Sequence, residues 1–357
     1  MLAVLLSVLA LPLLAPAHAP PRRIQVSEGV FIFQTAPYSD VGLDGNAVVI
    51  LSRDGVLVFD ANGTPAAAEV VLAEIRRMTR QPVRYLVLSH WHWDHWYGAE
   101  VYRRAFPAVR IVGHEATRRL MLGPALEFNR PGLESQLPAH IADVERQLAA
   151  AAPRSPEARE LRSHLEQDRA FLAQKLSVRH TLPDLTFTDS LTIHLGEREI
   201  RVLHHDRAVT PGDAFLYLPN ERVVVTGDLL VNPIPFALGC YPSGWLATLE
   251  RIDALDAAVI VPGHGDPLRD KTLIETHLAL FRALLREGRQ AKERGLDVEQ
   301  ARAAALTAVH DLMVHLTGDD AARNQTFSLY AVDWFLHRVY DELDGRLTDD
   351  IAPIPRH

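Results

Sequence analysis

The hydrophobic pattern divides the chain into strand-rich and helix-rich stretches. Near the start, short β-branched and aromatic runs separated by Gly, Asp and Asn predict an antiparallel meander. These runs are Gly29–Phe33, Ala47–Leu51 and Val56–Phe59. Thr64 and Pro65 then supply the N-cap and first turn of a helix whose apolar face continues to Arg80, and Val83–Leu88 is the next strand. The first stretch therefore predicts a sheet covered by a helix.

From about residue 116 to 178 the pattern becomes helical. Ile141, Val144 and Leu148 mark one apolar face, and Leu161, Leu165, Leu172 and Leu176 mark another. One interpretation is a helical hairpin packed on the body, with the leucines in its core. The other is a lid beside a functional cleft, which would then set specificity. A packed hairpin can also form a wall of such a cleft, so both interpretations stay open.

A second strand-rich stretch follows and ends in more helices. Its predicted strands are residues 185–187, 191–195, 200–203, 214–218, 223–225 and 258–261, with a helix from Trp245 to Leu255 before the last strand. Beyond Lys271 the apolar positions follow a helical period again. We therefore expect an α/β fold with a helical insertion and a C-terminal helical region. That region is expected to buttress the core or to form a homodimer contact.

Length and composition narrow the class of protein. A chain of 357 residues that is 48% hydrophobic can bury a large core. The formal charge of -8 and the pI near 6.1 argue against a nucleic-acid partner, which would require basic patches. The single cysteine, Cys240, excludes an intrachain disulfide and is expected in the core or in a loop.

The N-terminus has the pattern of a secretory signal peptide. Residues 2–14 form an apolar run that is too short, and too interrupted by proline, for a spanning helix, and Ala17-His18-Ala19 fits a cleavage site. We therefore predict a signal peptide at residues 1–19, a periplasmic or secreted protein, and no membrane span after cleavage. No Lys or Arg precedes the apolar run. An uncleaved anchor or a misassigned start is the alternative.

The densest cluster of potential metal ligands follows the strand that ends at Leu88. Within six residues the chain places His90, His92, Asp94 and His95. Imidazole nitrogens together with a carboxylate suit zinc. Alternation would send His90 and His92 to one side, while Asp94 and His95 lie in the turn beyond, so two neighbouring metal positions are predicted. The alternative is a polar loop with solvated histidines, but the flanking tryptophans favour a partly dry site.

Three more polar side chains stand at the ends of apolar strands. Asp60 follows Val56–Phe59, Asp228 closes Thr226-Gly227-Asp228, and His264 lies in Pro262-Gly263-His264-Gly265. With these motifs the chain resembles the metallo-β-lactamase superfamily over about residues 26 to 290. The resemblance implies an αββα sandwich. It implies a metallo-β-lactamase-like domain at residues 20–290, with the insertion at about 116–178, and a C-terminal helical extension at residues 291–357.

The resemblance also implies a set of metal ligands. One zinc would be held by Asp94, His95 and His264, with Asp228 bridging to a second zinc. The second zinc would take His90, His92 and a third histidine from a loop that relatives write as Gly-Arg-Ala-His-Thr-x-Gly-Asp. Here that loop is Asp206-Arg207-Ala208-Val209-Thr210-Pro211-Gly212-Asp213, so Val209 stands where the histidine is expected.

Three outcomes follow from the valine. The chain holds one firm zinc and a weak or absent second one; or His205 or His204, a few residues upstream, replaces the missing ligand; or the site has lost its chemistry. The donor set does not exclude iron or manganese.

By resemblance, the leading hypothesis is an exported zinc-dependent hydrolase of a small-molecule ester, lactone, thioester or amide. Bound zinc lowers the pKa of water from about 15.7 toward roughly 7 and so supplies hydroxide near neutral pH. Asp94 or Asp228 would orient the water and pass on its proton, and Asp60 would accept a ring N–H from a ligand histidine. A catalytically weak or inactive protein that binds a metal or small ligand in a periplasmic pathway is the alternative. A β-lactamase is only the second alternative. The Thr-Gly-Asp carboxylate is more similar to the glyoxalase II and lactonase branches of the superfamily than to the antibiotic-hydrolysing enzymes.

Overall fold

The structure is a computed structural model that describes residues 20–38 and 44–349. The predicted signal peptide lies outside the described residues. Two β-sheets face each other, and helices cover their outer sides. The seven-stranded sheet has the order β1-β2-β3-β4-β5-β6-β7, and the five-stranded sheet has the order β12-β11-β10-β9-β8. The predicted α/β sandwich is confirmed.

The strands are short and mostly match the predicted apolar runs. In the first sheet they are β1 Arg22–Ser27, β2 Val30–Gln34, β3 Ala47–Ser52, β4 Gly55–Phe59, β5 Val83–Val87, β6 Arg110–His114 and β7 Leu185–Phe187. In the second sheet they are β8 Ser190–Leu195, β9 Arg198–Leu203, β10 Phe215–Leu218, β11 Val223–Val231 and β12 Val259–His264. Strand β1 was not predicted, because it alternates polar and apolar residues at a sheet edge and buries only Val26 fully.

Strand direction brings the polar strand ends together. Strands β4, β5, β6 and β7 pair in parallel, as do β11 and β12, whereas the other pairs are antiparallel. Phe59 pairs with Val87, so Asp60 and the segment that begins at Leu88 leave the sheet side by side. Val231 pairs with His264 in the other sheet. The carboxyl ends of these strands therefore meet at one edge of the sandwich.

The main core lies between the sheets. Both sheets contribute to one buried hydrophobic cluster, which includes Ile32, Ile50, Phe59, Val202 and Val225. All five residues of β4 are buried, as is typical of a strand covered on both faces. This packing fixes the strands whose ends carry the polar side chains.

The helices begin where the sequence supplies caps. Thr64 accepts a hydrogen bond from the Ala67 backbone N–H ahead of Pro65, and Ser155 does the same for Ala158 ahead of Pro156. The helices are α1 Pro65–Met78, α2 Trp93–Trp96, α3 Ala99–Ala105, α4 Glu115–Met121, α5 Pro124–Pro131, α6 Leu137–Ala150, α7 Pro156–Leu176, α8 Pro242–Asp253, α9 Thr272–Glu293, α10 Val298–Ala308, α11 His310–Thr317, α12 Ala321–Phe327 and α13 Trp334–Leu343. Two π-helical segments, Gly132–Gln136 and Ser328–Asp333, join α5 to α6 and α12 to α13.

The insertion contains α4 to α7, with α6 packed against α7. Its inner face differs from the leucine stripe that the sequence predicts. Leu165 and Phe171 are buried, but so are Asp168 and Lys175, while Leu176 is 69% exposed. Residues three and four positions apart share a helix face, so the face that carries Phe171 continues to Lys175 and leaves Leu176 outside. The predicted core position of Leu176 was therefore wrong.

The C-terminal helices share a core with the second sheet. Phe281 of α9 lies 4.6 Å from Trp245 of α8 and 4.8 Å from Phe335 of α13, measured between ring centroids. The predicted boundary after residue 290 falls inside α9. Among the described helices, none combines the length and the apolarity that crossing a membrane requires.

Candidate metal centre

Six polar side chains form two adjacent groups at the edge where the strands end. One group is Asp94, His95 and His264, and the other is His90, His92 and Asp228. Within each group the candidate ligand atoms lie within 4.8 Å of one another. These are the six metal ligands that the sequence predicts, and the structure divides them between two positions as the resemblance implies.

The first position has four donors at regular distances. The Asp94 Oδ2 atom lies 3.3 Å from His95 Nε2 and 3.1 Å from His264 Nε2. The Asp228 Oδ1 atom lies 3.2 Å and 3.4 Å from the same two nitrogens. Two ligands that bind zinc tetrahedrally at about 2.0–2.1 Å are roughly 3.3–3.4 Å apart. The four histidine–carboxylate separations are therefore close to those of a tetrahedral zinc site.

The second position is less complete. The other oxygen of Asp228, Oδ2, lies 3.7 Å from His90 Nε2, and the His90 and His92 rings meet edge to face with centroids 4.5 Å apart. The group supplies two imidazoles and one carboxylate oxygen. Asp228 therefore contributes one oxygen to each position, as a bridging carboxylate does.

Several of these atoms are buried without a hydrogen bond. His90 Nε2, His95 Nε2 and Asp228 Oδ1 are inaccessible to solvent and make no hydrogen bond of acceptable geometry in the described part of the chain, although His95 Nε2 and Asp228 Oδ1 lie 3.2 Å apart. A buried polar atom without a partner costs about 1–3 kcal/mol, and coordination to a cation removes that cost. The residues therefore fit a metal better than they fit a purely structural network.

Asp60 orients ligands at both positions. Its Oδ2 atom accepts a hydrogen bond from His95 Nδ1 at 2.7 Å, which leaves His95 Nε2 for the first position. The carboxylate also accepts hydrogen bonds from the Ser89 N–H and the Ser89 hydroxyl, at 2.7 and 2.8 Å. Ser89 Oγ in turn lies 2.8 Å from His90 Nδ1. One buried carboxylate thus positions a histidine of each group, and the sequence did not predict the role of Ser89.

Two glycines allow the close packing of the ligands. A Cβ atom at Gly263 would lie 2.1 Å from Asp228 Oδ1, and one at Gly45 would lie 2.5 Å from the His95 ring. Side chains at these positions would displace a ligand. Glycine is therefore required at position 263, before His264, because a larger residue would displace Asp228.

Charge divides the histidines into two classes. Burial lowers the pKa of His90 well below its ordinary value and that of His92 to about 4. Burial also acts on His95 and His264, but the carboxylates of Asp228 and Asp94 outweigh it and raise the pKa of His95 well above its ordinary value and that of His264 to about 10. The first position therefore attracts positive charge strongly, as a cation site should.

Val209 is 1% exposed and belongs to a hydrophobic cluster with Phe215 and Trp245. Its loop is well ordered, because Asp213 accepts hydrogen bonds from both the N–H and the hydroxyl of Thr210 at 2.8 Å. The valine thus occupies an intact loop that lacks the histidine of the family pattern.

His204 and His205 lie outside both groups of ligands. His204 Nδ1 is 2.9 Å from the Asp213 carbonyl oxygen, and its ring stacks on His114 at 4.1 Å. His205 is exposed. Replacement of the missing ligand by either residue stays a prediction that this geometry does not favour.

Aromatic side chains surround the second position. Trp91 packs against His92 at 4.5 Å and against Phe128 of the insertion at 5.5 Å, measured between ring centroids. From the other side, Phe236 lies 5.8 Å from His92. Phe236 is 5.2 Å from Tyr330 and 5.1 Å from Trp334, both in the C-terminal helical region. The sequence pattern did not predict this second wall, because its residues are almost a hundred positions apart.

Comparison with known proteins agrees with this geometry. The family model of the metallo-beta-lactamase superfamily matches residues 40–264. The chain belongs to this superfamily. A linear primary-alkylsulfatase from Pseudomonas sp. (strain ATCC 19151) is 24% identical over 251 residues. That alignment covers 66% of this chain and 44% of the relative, so the superfamily member described here spans less than half the length of that relative.

Solved structures show the same fold. A metallo-beta-lactamase from Pontibacter korlensis has a TM-score of 0.52 and 19% identity, with 73% of this chain and 99% of that chain covered. The DIM-1 metallo-beta-lactamase has a TM-score of 0.50 and 15% identity, with 74% and 98% covered. TMB-1 has a TM-score of 0.51 and 13% identity, with the same coverage. About a quarter of the superfamily member described here therefore lies outside each of these alignments.

Proposed function

We propose that the protein is a zinc-dependent hydrolase of ester-type bonds in a small organic substrate. The observation that carries the proposal is the set of four donors, Asp94, His95, His264 and Asp228, at the spacing of a tetrahedral zinc site. Asp228 extends this site toward His90 and His92. Membership of a superfamily whose members are usually hydrolases supports the proposal.

The side chains have distinct roles in this proposal. When bound, zinc supplies a nucleophile from water near neutral pH and polarises the substrate oxygen. Asp228 holds the two positions together, and Asp60 keeps His95 in the tautomer that presents Nε2. Asp94 is the most exposed of these carboxylates, with 14% of its side chain accessible against 5% for Asp228. Asp94 is therefore the carboxylate best placed to contact and orient a water molecule.

A sulfate ester is the second candidate substrate class. The relative that supports it is the alkylsulfatase, which is 24% identical to this chain over 251 residues. Hydrolysis of a sulfate ester requires the same elements: a water nucleophile, a cation near the oxygens that gain charge, and a proton carrier.

We also propose export to the periplasm or the medium, on the basis of the apolar run at residues 2–14 and Ala17-His18-Ala19.

The test combines metal content with a substrate panel. Zinc per chain is measured after dialysis and again under saturating zinc. Hydrolysis is followed for an aryl ester, a lactone, a thioester, an alkyl sulfate and a cephalosporin. We expect one tightly held zinc, and turnover of an ester-type substrate that is lost with a chelator and restored by zinc.

His264→Ala is expected to remove both the tight zinc and the activity. His194→Ala is the matched control, because His194 is an exposed histidine of β8. A protein that binds zinc tightly but turns over nothing in the panel would instead support the non-catalytic alternative. Turnover of the cephalosporin alone would identify a β-lactamase.

A further inference from the structure

A cavity lies between the helical insertion and the loop that carries the metal ligands. Its volume is about 380 Å³, within the range of small-molecule sites. Trp93, which stands between the ligands His92 and Asp94, forms one side. The other sides come from α5, the first π-helical segment, α6 and α7. The cavity is therefore next to the metal centre, but the insertion forms most of it.

The cavity has apolar walls. Trp93 and Phe171 are in contact, with ring centroids 5.7 Å apart and ring planes tilted by 59°. Leu133 of the first π-helical segment and Leu137 of α6 also line the cavity. Asn129 and Gln136 add neutral polar groups. Such walls accommodate an aliphatic chain or an aromatic ring and give little support to a strongly hydrated ligand.

Lys175 places a positive charge in this cavity. Its side chain is 7% exposed, and its Nζ atom lies 3.3 Å from the centre of the Trp93 ring and 4.2 Å from that of Tyr97. No described residue accepts a hydrogen bond from this ammonium group or forms an ion pair with it. Aromatic faces stabilise a cation but do not accept its three N–H groups as oxygen does. The ammonium group therefore lacks an acceptor in the described part of the chain.

The charge of Lys175 is not cancelled by the walls. None of the described lining residues is an aspartate or a glutamate. Asp168 is fully buried and does not line the cavity, and its Oδ2 atom is 3.3 Å from Nε2 of His140, which does line it. Burial lowers the pKa of Lys175 well below its ordinary value in spite of the opposing charges of Asp94 and Asp44, neither of which lines the cavity. An anionic oxygen bound in the cavity would favour the protonated form of Lys175 and would meet no carboxylate of the lining.

We propose that this cavity binds a small organic oxyanion, with its apolar body against the side chains of Trp93, Phe171 and Leu137 and one of its oxygens on Lys175 Nζ. In the proposed function, this ligand is the part of the substrate that is not cleaved. That assignment rests on the proposed function, whereas binding of the oxyanion does not. Lys175 is then a specificity-determining residue supplied by the insertion, and the insertion walls the substrate cleft.

The test measures binding of three eight-carbon probes to the full chain by calorimetry. The probes are octanoate, octyl sulfate below its micellar concentration, and neutral octanol. The protein is depleted of metal, so that the metal centre can neither bind the oxyanions as a Lewis acid nor hydrolyse the sulfate. We expect saturable binding of an oxyanion at one site, with octanol about tenfold weaker or more, because a charge-assisted hydrogen bond is lost. The tighter of the two oxyanions identifies the class.

Lys175→Met should reduce oxyanion affinity to that of octanol. Lys292→Met is the matched control, because Lys292 pairs with Asp344 far along the chain and should leave binding unchanged. Oxyanion binding that persists in Lys175→Met, or octanol binding as tight as that of octanoate, would overturn the proposal. The absence of saturable binding by any probe would do so as well.

A second variant keeps the test decisive if Lys175→Met unfolds. Leu133→Trp narrows the cavity from a half-buried position and should weaken all three probes, while thermal unfolding checks the fold. Unchanged binding in Leu133→Trp would refute this location. Oxyanion binding without hydrolysis of any substrate would refute the proposed function and leave the site intact. Hydrolysis without oxyanion binding would refute only the site.

Discussion

The two metal positions lie side by side and share Asp228, yet the chain equips them differently. The first has four donors whose measured separations run from 3.1 to 3.4 Å, and two of its histidines have raised pKa values. The second has three donors, a longer separation of 3.7 Å, and histidines whose pKa values are lowered by burial. Four candidate donors and an attractive charge therefore occur together at the first position.

The difference shows how a single residue affects one half of a shared site. The loop at residues 206–213 keeps its Thr210 to Asp213 hydrogen bonds, so the backbone that carries Val209 has not been lost. The second position lacks only the imidazole of the histidine that the family pattern has in place of Val209. Because Asp228 and the Asp60 network serve both positions, the second position keeps an oriented His90 even without that ligand.

The largest expected effect comes from removing the shared carboxylate. Asp228→Ala deletes a donor from both positions and leaves four histidines with less opposing charge. We expect tight zinc to be lost and hydrolysis to fall by roughly 10³-fold or more, since metal catalysis accounts for several kcal/mol of the barrier. Elemental analysis and initial rates measure the two effects. Asp256→Ala, at an exposed aspartate, should change neither, and retention of tight zinc in Asp228→Ala would contradict the bridging role.

A smaller effect is expected when the missing ligand is restored. Val209→His should strengthen binding of the second zinc by roughly 10- to 100-fold, because changes even in the outer shell of a site alter metal affinity that much. Zinc titration against a chromophoric chelator gives both affinities. Val209→Leu is the matched control, and thermal unfolding of both variants reports the cost of a polar ring in this core. An unchanged second affinity would mean that this position does not face the metal.

The third prediction concerns the pH dependence of zinc binding. Metal must displace the protons of its ligands. The pKa of His264 is raised to about 10 and that of His95 is also raised, so zinc affinity at the first position should increase as pH rises from 5 to 9. The increase should be about tenfold per pH unit for each proton displaced. At the second position the pKa of His92 is lowered to about 4, so affinity there should be nearly constant over the same range.

His90→Ala isolates the first position and His264→Ala isolates the second. Chelator competition is measured for both variants across the pH range. Equal slopes in the two variants would show that the charge difference between the positions does not govern metal binding.

The sequence predicted the ligands because they follow strands. His90, Asp60, Asp228 and His264 each come at or near the end of a strongly apolar run, and parallel strands bring such ends to one edge. The position of each ligand at the end of an apolar run was therefore enough to predict that these residues lie together. The gap at Val209 could be recognised for the same reason, because the residues on either side of it keep the family spacing.

The sequence did not predict the surroundings of the site, because they depend on contacts between distant segments. Lys175 reads as part of a solvated helix face, and only the packing of α7 over Trp93 and Tyr97 shows that it is buried. Strand β1 was missed because an edge strand needs no continuous apolar run. Hydrophobic periodicity predicts single helices and strands, but the surroundings of the site are formed by contacts between helices and strands that are distant in the sequence.

Phe236 contacts Tyr330 and Trp334 on one side and His92 on the other, so the last third of the chain reaches the surroundings of the candidate metal centre. The region matched by the superfamily ends at residue 264 and does not include these two aromatic residues. A chain shortened to that boundary would therefore expose the side of Phe236 that the C-terminal helices cover.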